Sequence, residues 1–452
     1  MHLKDFFPRI KRKYQNYSFS NIAFDSSKIK KNFIFFAIKG NRYDGNNFIN
    51  DAINNGAKII VHEKKFTGLR NNILFIGSKN VRKLLAQVSF KIYSLRPKNL
   101  VSVTGTNGKS SIADFYFQIL KINKKKVASI GTLGIKTANS LKSLSNTTID
   151  PVELGKILKK LKRQKIENVI MEASSHGLEQ HRLDGLLFDI GIFTNLSHDH
   201  LDYHKNFKNY LNSKLYLFKK LLKKNGNVIT DKDIPEFYKI KKISKNNRLK
   251  LNIISSGLKD SGLRIISHRF HGESQIVQIN YKGLNLDFKI NLIGKVQLKN
   301  ILMALLAAEK SGVKILSIIK SLHYLKPLNG RLEKIGKIKN NSKVILDYAH
   351  TPDALKTCLK NIKEQFPGKK ITLVLLSVII FNSCAEEISS EKQAPRAPGY
   401  LKKDGITYDA DDANPENLDL WDKYIDAHNK RDIETINQMS ADSTKQFGSF
   451  KI

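Results

Sequence analysis

Val101-Ser102-Val103-Thr104-Gly105-Thr106-Asn107-Gly108-Lys109-Ser110-Ser111 reads as a buried strand, a glycine loop and a helix start in unbroken order. That order is built to hold a phosphate. Glycines let backbone N–H groups curl around phosphate oxygens, the helix N-terminus adds partial positive charge, Lys109 supplies a full one, and the Ser110 hydroxyl is placed to ligate Mg²⁺. Ile112, Phe115, Tyr116 and Ile119 have the spacing of one apolar helix face, so the loop leads into a helix. The longer P-loop pattern wants glycine at position 103, where this chain has valine.

Two more apolar runs end in polar clusters. Val169-Ile170 leads into Met171-Glu172-Ala173-Ser174-Ser175-His176-Gly177, and Ile190-Gly191-Ile192-Phe193 leads into Thr194-Asn195-Leu196-Ser197-His198-Asp199-His200-Leu201-Asp202. Ligands of open α/β sheets gather beyond the carboxyl ends of parallel strands, so the three endings are expected to converge on one site. Five of the 12 histidines lie between His176 and His204, a density that argues for chemistry. No cysteine sits near them, which argues against zinc.

These residues resemble the Mur ligase family, most closely its MurE-type branch, which adds the third residue of the peptidoglycan stem peptide. The likeness runs from about Phe24 to about Val374. Beside the glycine loop it is carried by Asn146-Thr147-Thr148, by Glu172 to Arg182, by Asp199-His200-Leu201-Asp202-Tyr203-His204, and by Leu292-Ile293-Gly294 with Asn300. Asn329-Gly330-Arg331-Leu332-Glu333 and Asp347-Tyr348-Ala349-His350-Thr351-Pro352-Asp353-Ala354 complete it. The resemblance implies an α/β fold in three-domain Mur ligase architecture, with a central P-loop-type parallel sheet and a third domain truncated or replaced.

The implied activity is an ATP-dependent amide ligase that phosphorylates a carboxylate of UDP-N-acetylmuramoyl-L-alanyl-D-glutamate and lets diaminopimelate or lysine attack the acyl phosphate. Peptidoglycan synthesis, cell shape and cell division are the implied roles. Positioning and cation clamping do most of the work in such phosphoryl transfers. By the same resemblance, Gly105, Thr106, Asn107, Gly108, Lys109, Ser110 and Ser111 would cradle ATP, with Lys109 on the γ-phosphate. Asn300 would meet adenine, Arg331 phosphate and Asp347 ribose. Ser110 and Glu172 would hold one Mg²⁺, a hard cation that prefers oxygen. His200 would hold a second metal with Lys214, carried by the family as a carbamate. Taken singly, Lys214 is one more lysine in a lysine-rich helix.

Thr147, Thr148, Ser174, Gln180 and Arg182 look like the family's contacts to the UDP-muramyl peptide, whose carboxylates and amides suit hydroxyls, an amide and a guanidinium. Ser26, Asn41, Arg42 and Tyr43 resemble the uridine-diphosphate edge. The family usually has arginine after Asp-Ser there; this chain has Ser27.

A length of 452 residues leaves room for three domains, and a 41% apolar share belongs to a soluble globular protein. The formal net charge of +38 would ordinarily point to nucleic acid. Lysine is spread along the chain beside abundant asparagine and isoleucine, a pattern of A·T-rich coding, so no nucleic-acid partner is expected. Anionic substrates still profit from the field. Cys358 and Cys384 make no disulfide framework, which fits a reducing cytoplasm. Met1 to Arg12 lacks an apolar core, so no N-terminal export signal is expected, and the chain is expected to be a monomer.

The expected domains are 1–95 for the UDP substrate, 96–325 for ATP with an added β-region between Asp231 and Gln278, 326–374 as the start of the ligase domain, and 375–452 as an unrelated tail. Lys369-Lys370, a mostly apolar run from Ile371 and Ser383-Cys384 resemble a bacterial lipoprotein signal. Use of Cys384 would make the chain a membrane-tethered binding protein with a ligase remnant, the competing reading. A buried strand over Ile371 to Phe381 is the plain alternative. Residues 375–452 carry 9 Lys and Arg against 14 Asp and Glu, the reverse of the balance before them. Trp421 opens an amphipathic pattern with Ile425, His428 and Ile433. Since the family's amino-acid pocket would lie past Val374, amide formation by this chain is expected to be poor or absent.

Overall fold

The computed structural model describes residues 1–374, apart from 41–42, 145, 258–261 and 339–341, together with strand backbone at 400–403 and 406–409. These divide into two units, residues 1–333 with 347–368, and residues 334–346 with 369–452.

The first unit opens with a five-stranded sheet of β1 (Asn21–Ala23), β2 (Phe33–Phe36), β3 (Ile59–His62), β4 (Gly68–Arg70) and β5 (Ile73–Gly77) in the order β1-β2-β3-β5-β4. All but β4 run parallel. Helices α1 (Leu3–Phe6), α2 (Ile49–Asn54) and α3 (Val81–Ile92) accompany it. Alternate residues of β2 and β3 point to opposite faces: Ile34, Phe36, Ile59 and Val61 join one core, Phe35 and Ile60 another. Both faces are covered, which is what a parallel sheet of near-continuous apolar strands requires.

The same logic builds the eleven-stranded central sheet, β16-β15-β14-β13-β12-β11-β6-β10-β7-β8-β9. Its strands are β6 (Asn99–Thr104), β7 (Val127–Gly131), β8 (Gly134–Lys136), β9 (Leu141–Lys142), β10 (Asn168–Glu172), β11 (Phe188–Phe193), β12 (Leu222–Asp231), β13 (Lys250–Ser255), β14 (Leu263–His271), β15 (Ser274–Tyr281) and β16 (Leu284–Ile290). The run from β7 to β14 across the middle is parallel. Helices α4 (Lys109–Ile122), α5 (Pro151–Arg163), α6 (Ser175–Glu179), α7 (Leu201–His204), α8 (Phe207–Lys220), α9 (Phe237–Asn246), α10 (Lys295–Lys310) and α11 (Ile315–Leu322) connect or cover it.

Val101 and Val103 of β6 enter a core shared with α4, α10 and α11, while Leu100 enters the opposite core with α5 and α8. Helix α4 is buried well beyond the expected stripe, since Ala113, Phe117 and Leu120 are also enclosed. The stretch Asp231 to Gln278 holds helix α9 as well as added strands, and its antiparallel hairpins run on to Ile290.

Helix α10 begins at Gly294, which has no side chain to cap it. The cap comes from α12 (Pro352–Gln365): Gly294 N donates to Gln365 Oε1 at 2.7 Å and Val296 N to Asn361 Oδ1 at 2.9 Å. Strands β17 (Glu333–Ile338) and β18 (Ser342–Leu346) form a two-stranded sheet, as do β19 (Tyr400–Lys403) and β20 (Ile406–Asp409). Ile371 to Val374 form no strand and are exposed. The rest of the signal-like run, Cys384 and the Trp421 pattern lie outside the described residues. Among the described residues, no helix is long and apolar enough to cross a membrane.

Leu305 is fully buried where α10 packs on the sheet and α4. Replacing it with alanine should cost about 2–5 kcal/mol by leaving a cavity. The check is a urea titration, with a lowered midpoint and an unchanged slope.

Candidate active site

Two glycines fix the loop after β6. Gly105 has φ of 146°, and a Cβ there would lie 1.8 Å from Thr194 Oγ1. Gly108, with φ of 88°, starts α4, and a Cβ there would lie 2.7 Å from Asn300 Oδ1. Val103 belongs to the buried strand, so the chain turns only after Thr104. The strand end after β11 braces the turn: Thr106 N donates to Asn195 O at 2.9 Å, Asn107 N to Asn195 Oδ1 at 3.0 Å, and Thr194 Oγ1 to Asn107 O at 2.6 Å. Thr106 Oγ1 accepts from Ser197 N at 3.0 Å and lies 3.1 Å from the Tyr210 hydroxyl. Ser111 is buried in the first turn of α4.

Two lysines meet at one carbonyl. Lys109 Nζ donates to Gly105 O at 3.0 Å and Thr106 O at 2.8 Å, and Lys214 Nζ donates to Gly105 O at 2.7 Å. Lys214, on α8, is 1% exposed and lies with its Nζ 4.3 Å from the Tyr210 ring centre. Burial drives its amine well below the ordinary lysine range; the Lys109 charge pushes the same way and Asp199 opposes both. Burial lowers Lys109 too, against the pull of Glu172 and Asp199.

Glu172, at the end of β10, is 3% exposed. Its Oε1 accepts from Thr132 N at 3.0 Å, and its Oε2 accepts from Ser110 Oγ at 3.0 Å and Thr132 Oγ1 at 3.3 Å. His200 starts α7 with φ of 51° and lies beside Asp199, Nε2 to Oδ2 at 3.4 Å. Its ring centre is 4.9 Å from that of His176 and 6.3 Å from that of Tyr210. His200 and Lys214 thus approach the Tyr210 ring separately. Among the described residues, no group of three His, Cys, Asp or Glu is arranged to hold a metal. The oxygens of Ser110 and Glu172 remain an adjacent hard-donor pair suited to Mg²⁺.

The remaining expected residues fall into three places. Asn300 stands over Gly108 and donates from Nδ2 to Gln297 Oε1 at 3.2 Å. Asp347 accepts from Leu332 N at 2.9 Å, with its carboxyl raised by burial, and Arg331 Nη1 donates to Tyr348 O at 3.3 Å. Here Asp347 acts as a backbone cap. Thr148 Oγ1 donates to Glu172 O at 3.0 Å and accepts from Ser174 N at 3.0 Å, and Thr147 Oγ1 lies 3.1 Å from Thr132 Oγ1. Arg182 is forked on Gln180 Oε1 through Nε at 3.1 Å and Nη2 at 2.8 Å, and donates from Nη1 to Thr148 O. Thr147, Thr148, Ser174, Gln180 and Arg182 therefore form one wall leading to Glu172. Farther off, Tyr43 is 72% exposed and Ser26 O accepts from Asn55 Nδ2 at 3.0 Å. Asn41 and Arg42 lie outside the described residues.

Sequence reasoning passed over Thr132 and gave no role to Tyr210. Thr132 was findable, because it follows β7, another parallel strand ending at the same edge. Tyr210 lies mid-helix, and only the packing of α8 brings its hydroxyl to the loop.

A glycine loop in a doubly covered sheet, with Lys109, the buried Lys214 and a buried carboxylate at its strand ends, marks a nucleotide-binding α/β fold. Three family profiles match: "Mur ligase family, catalytic domain" over residues 18–87, "Mur ligase middle domain" over 103–308 and "Mur ligase, glutamate ligase domain" over 330–377. The UDP-N-acetylmuramoyl-L-alanyl-D-glutamate–2,6-diaminopimelate ligase of Rickettsia typhi is 37% identical over 379 residues, 80% of this chain and 73% of that protein. Its namesake from Zymomonas mobilis is 36% identical over 358 residues, 79% of this chain and 72% of that protein. A solved structure with the same enzyme name has a TM-score of 0.71 at 26% identity, covering 80% of this chain and 74% of its own. Thermotoga maritima MurF ligase in complex with ADP shares the fold, with a TM-score of 0.54 at 21% identity over 77% of this chain and 75% of its own. The chain belongs to the Mur ligase family.

Gly105→Ala should abolish ADP binding in calorimetry, since the added methyl meets Thr194 and the backbone disfavours a side chain. Lys214 gives a pH signature. Its folded value lies below its unfolded value near 10.5, so the unfolded chain holds the extra proton between the two, and stability rises with pH across that window. Wild type should therefore gain on Lys214→Met when urea unfolding in CO₂-free buffer is moved from about pH 7 to about pH 9.5.

Proposed function

We propose that this chain carries an ATP-dependent amide-ligase site for UDP-N-acetylmuramoyl-L-alanyl-D-glutamate in peptidoglycan synthesis. The observation that carries the reading is the meeting of Lys109 and Lys214 at the Gly105 carbonyl, beside the Ser110 and Glu172 oxygens. Cations and hard oxygens so placed suit a reaction in which anionic groups must be pressed together. A substrate carboxylate oxygen attacks the γ-phosphorus of ATP, the bond to ADP breaks, and an acyl phosphate forms. The incoming amine then attacks the acyl carbon, phosphate leaves, and the amine loses a proton.

Lys109 holds the γ-phosphate in this reading, and the loop amides from Thr106 to Ser111 hold the chain of phosphates. Ser110 and Glu172 would hold Mg²⁺, which when bound neutralises phosphate charge. Burial lowers the Lys214 amine well below the ordinary lysine range, which favours the neutral form, the one that adds CO₂ to become a carbamate and so an anionic oxygen donor. His200, whose ring centre lies 6.3 Å from that of Tyr210, is the nitrogen donor assigned to the same second metal in this reading. Thr147, Thr148, Ser174, Gln180 and Arg182 orient the sugar peptide toward the loop. The named relatives favour diaminopimelate over lysine as the amine. A reducing cytoplasm fits the free, buried Cys358.

Purified protein is expected to bind ADP and UDP-muramyl dipeptide in calorimetry, and to release little or no amide product with ATP, Mg²⁺ and diaminopimelate. Failure to bind the sugar peptide would refute the site assignment. Turnover at an ordinary ligase rate would refute the loss of the amide step.

A further inference from the structure

A cavity of about 340 Å³ opens in the first unit, with Phe24, Ile38, Gly40, Arg82, Gln180 and Arg182 on its walls. Phe24 follows β1, Ile38 and Gly40 follow β2, and Arg82 stands in the first turn of α3 just after β5. The cavity therefore lies beyond the carboxyl ends of three parallel strands, where open α/β sheets take ligands. Arg82 takes no part at the glycine loop. Its Nη2 donates to Lys39 O at 2.9 Å, and among the described residues it has no carboxylate partner. The other N–H groups of its fork are left for a ligand.

Arg182 stands in the same cavity, close enough that Arg82, after burial, helps to depress its guanidinium. Two guanidiniums in one cavity offer N–H donors that suit an anionic group. Carboxylates are present too, and their state matters. Asp150 lines the cavity, but its Oδ1 already accepts from Val152 N and Glu153 N, each at 2.9 Å. With Asp150 and Glu153 the cavity holds two carboxylates against two guanidiniums, so an anionic occupant is favoured by the open fork of Arg82 and not by net charge.

The two arginines are not equivalent. Arg182 spends its N–H groups on Gln180 and Thr148, in the wall that leads to Glu172. Arg82 belongs to the other side, the sheet whose strand ends carry Ser26 and Tyr43. A ligand with uridine at that sheet and its peptide at the central sheet must lay its diphosphate between them. Ser27, where the resembling family has arginine, is engaged locally, with Oγ and N both donating to Asp25 Oδ1 at 2.7 and 3.0 Å.

We propose that Arg82 clamps the diphosphate of a UDP-linked substrate, supplying from α3 the cation that this chain lacks at position 27. The inference rests on the UDP-sugar reading of the site. It is tested by calorimetry with UDP and with UDP-muramyl dipeptide on wild type, Arg82→Gln and Arg82→Lys, with ADP affinity as the control for folding. Losing a charge-assisted fork should weaken both uridine ligands by the same factor, roughly 10- to 100-fold in Arg82→Gln and severalfold in Arg82→Lys, with ADP unchanged. Wild-type affinity for UDP in either variant that keeps ADP binding overturns the proposal. So does weakening of the sugar peptide alone, which would move Arg82 to a peptide carboxylate. A wild-type chain that binds ADP and neither uridine ligand overturns the UDP-sugar reading itself.

Discussion

The site is organised around the Gly105 carbonyl, which accepts at once from the buried Lys214 and the half-buried Lys109. Bringing like charges this close out of water is unfavourable unless negative charge compensates or a proton leaves. Glu172 and Asp199 compensate in part, and burial depresses both amines. The result is a loop with little room to rearrange and a standing preference for anions. A phosphate brought to this loop would relieve the repulsion, because it carries negative charge.

Holding such a cluster requires rigid supports, and the sheet provides them. β6, β10, β7 and β11 are parallel neighbours, so their carboxyl ends deliver the glycine loop, Glu172, Thr132 and Thr194 to one edge. Cores on both faces, with α4 and α10 on one side and α5 and α8 on the other, fix the register of those ends. A one-residue slip of β11 would take Thr194 off Gly105 and open the loop. Close packing thus reaches the chemistry through two or three side-chain contacts.

Much of this was legible in the sequence because strand ends are local signals. The run Val101 to Ser111 carries its own apolar strand, glycines and helix start, and the Glu172 and Thr194 clusters repeat the pattern. Long-range neighbours were not legible. Tyr210 sits mid-helix, and nothing around it says that α8 lays it against the loop; Lys214, in the same helix, was reached only through the family resemblance. Arg82 is still less visible, as an arginine in a basic helix whose cavity exists only because distant segments meet. The lysine-rich stretch after Asp231 was expected to add β-structure; it does, and it also holds α9, whose buried Phe237, Ile240 and Ser244 recur at helical spacing.

Helix α12 supports the glycine loop from far along the chain. Gly294 opens α10 with no side chain, leaving the first amides of a 16-residue helix to find acceptors elsewhere. Asn361 and Gln365 of α12 supply two, and Gln365 also donates to Gly272 O at 3.1 Å, on the tip of the β14–β15 hairpin. Gln297, in the same turn of α10, donates to Arg331 O at 2.9 Å and accepts from Asn300, whose Oδ1 lies over Gly108. Removing α12 would free the amides that fix this turn, and Asn300 would lose the support that holds it above the phosphate loop. The geometry of the loop at Gly108 is thus set partly by residues far along the chain, through a series of hydrogen bonds that needs no amino-acid pocket to form.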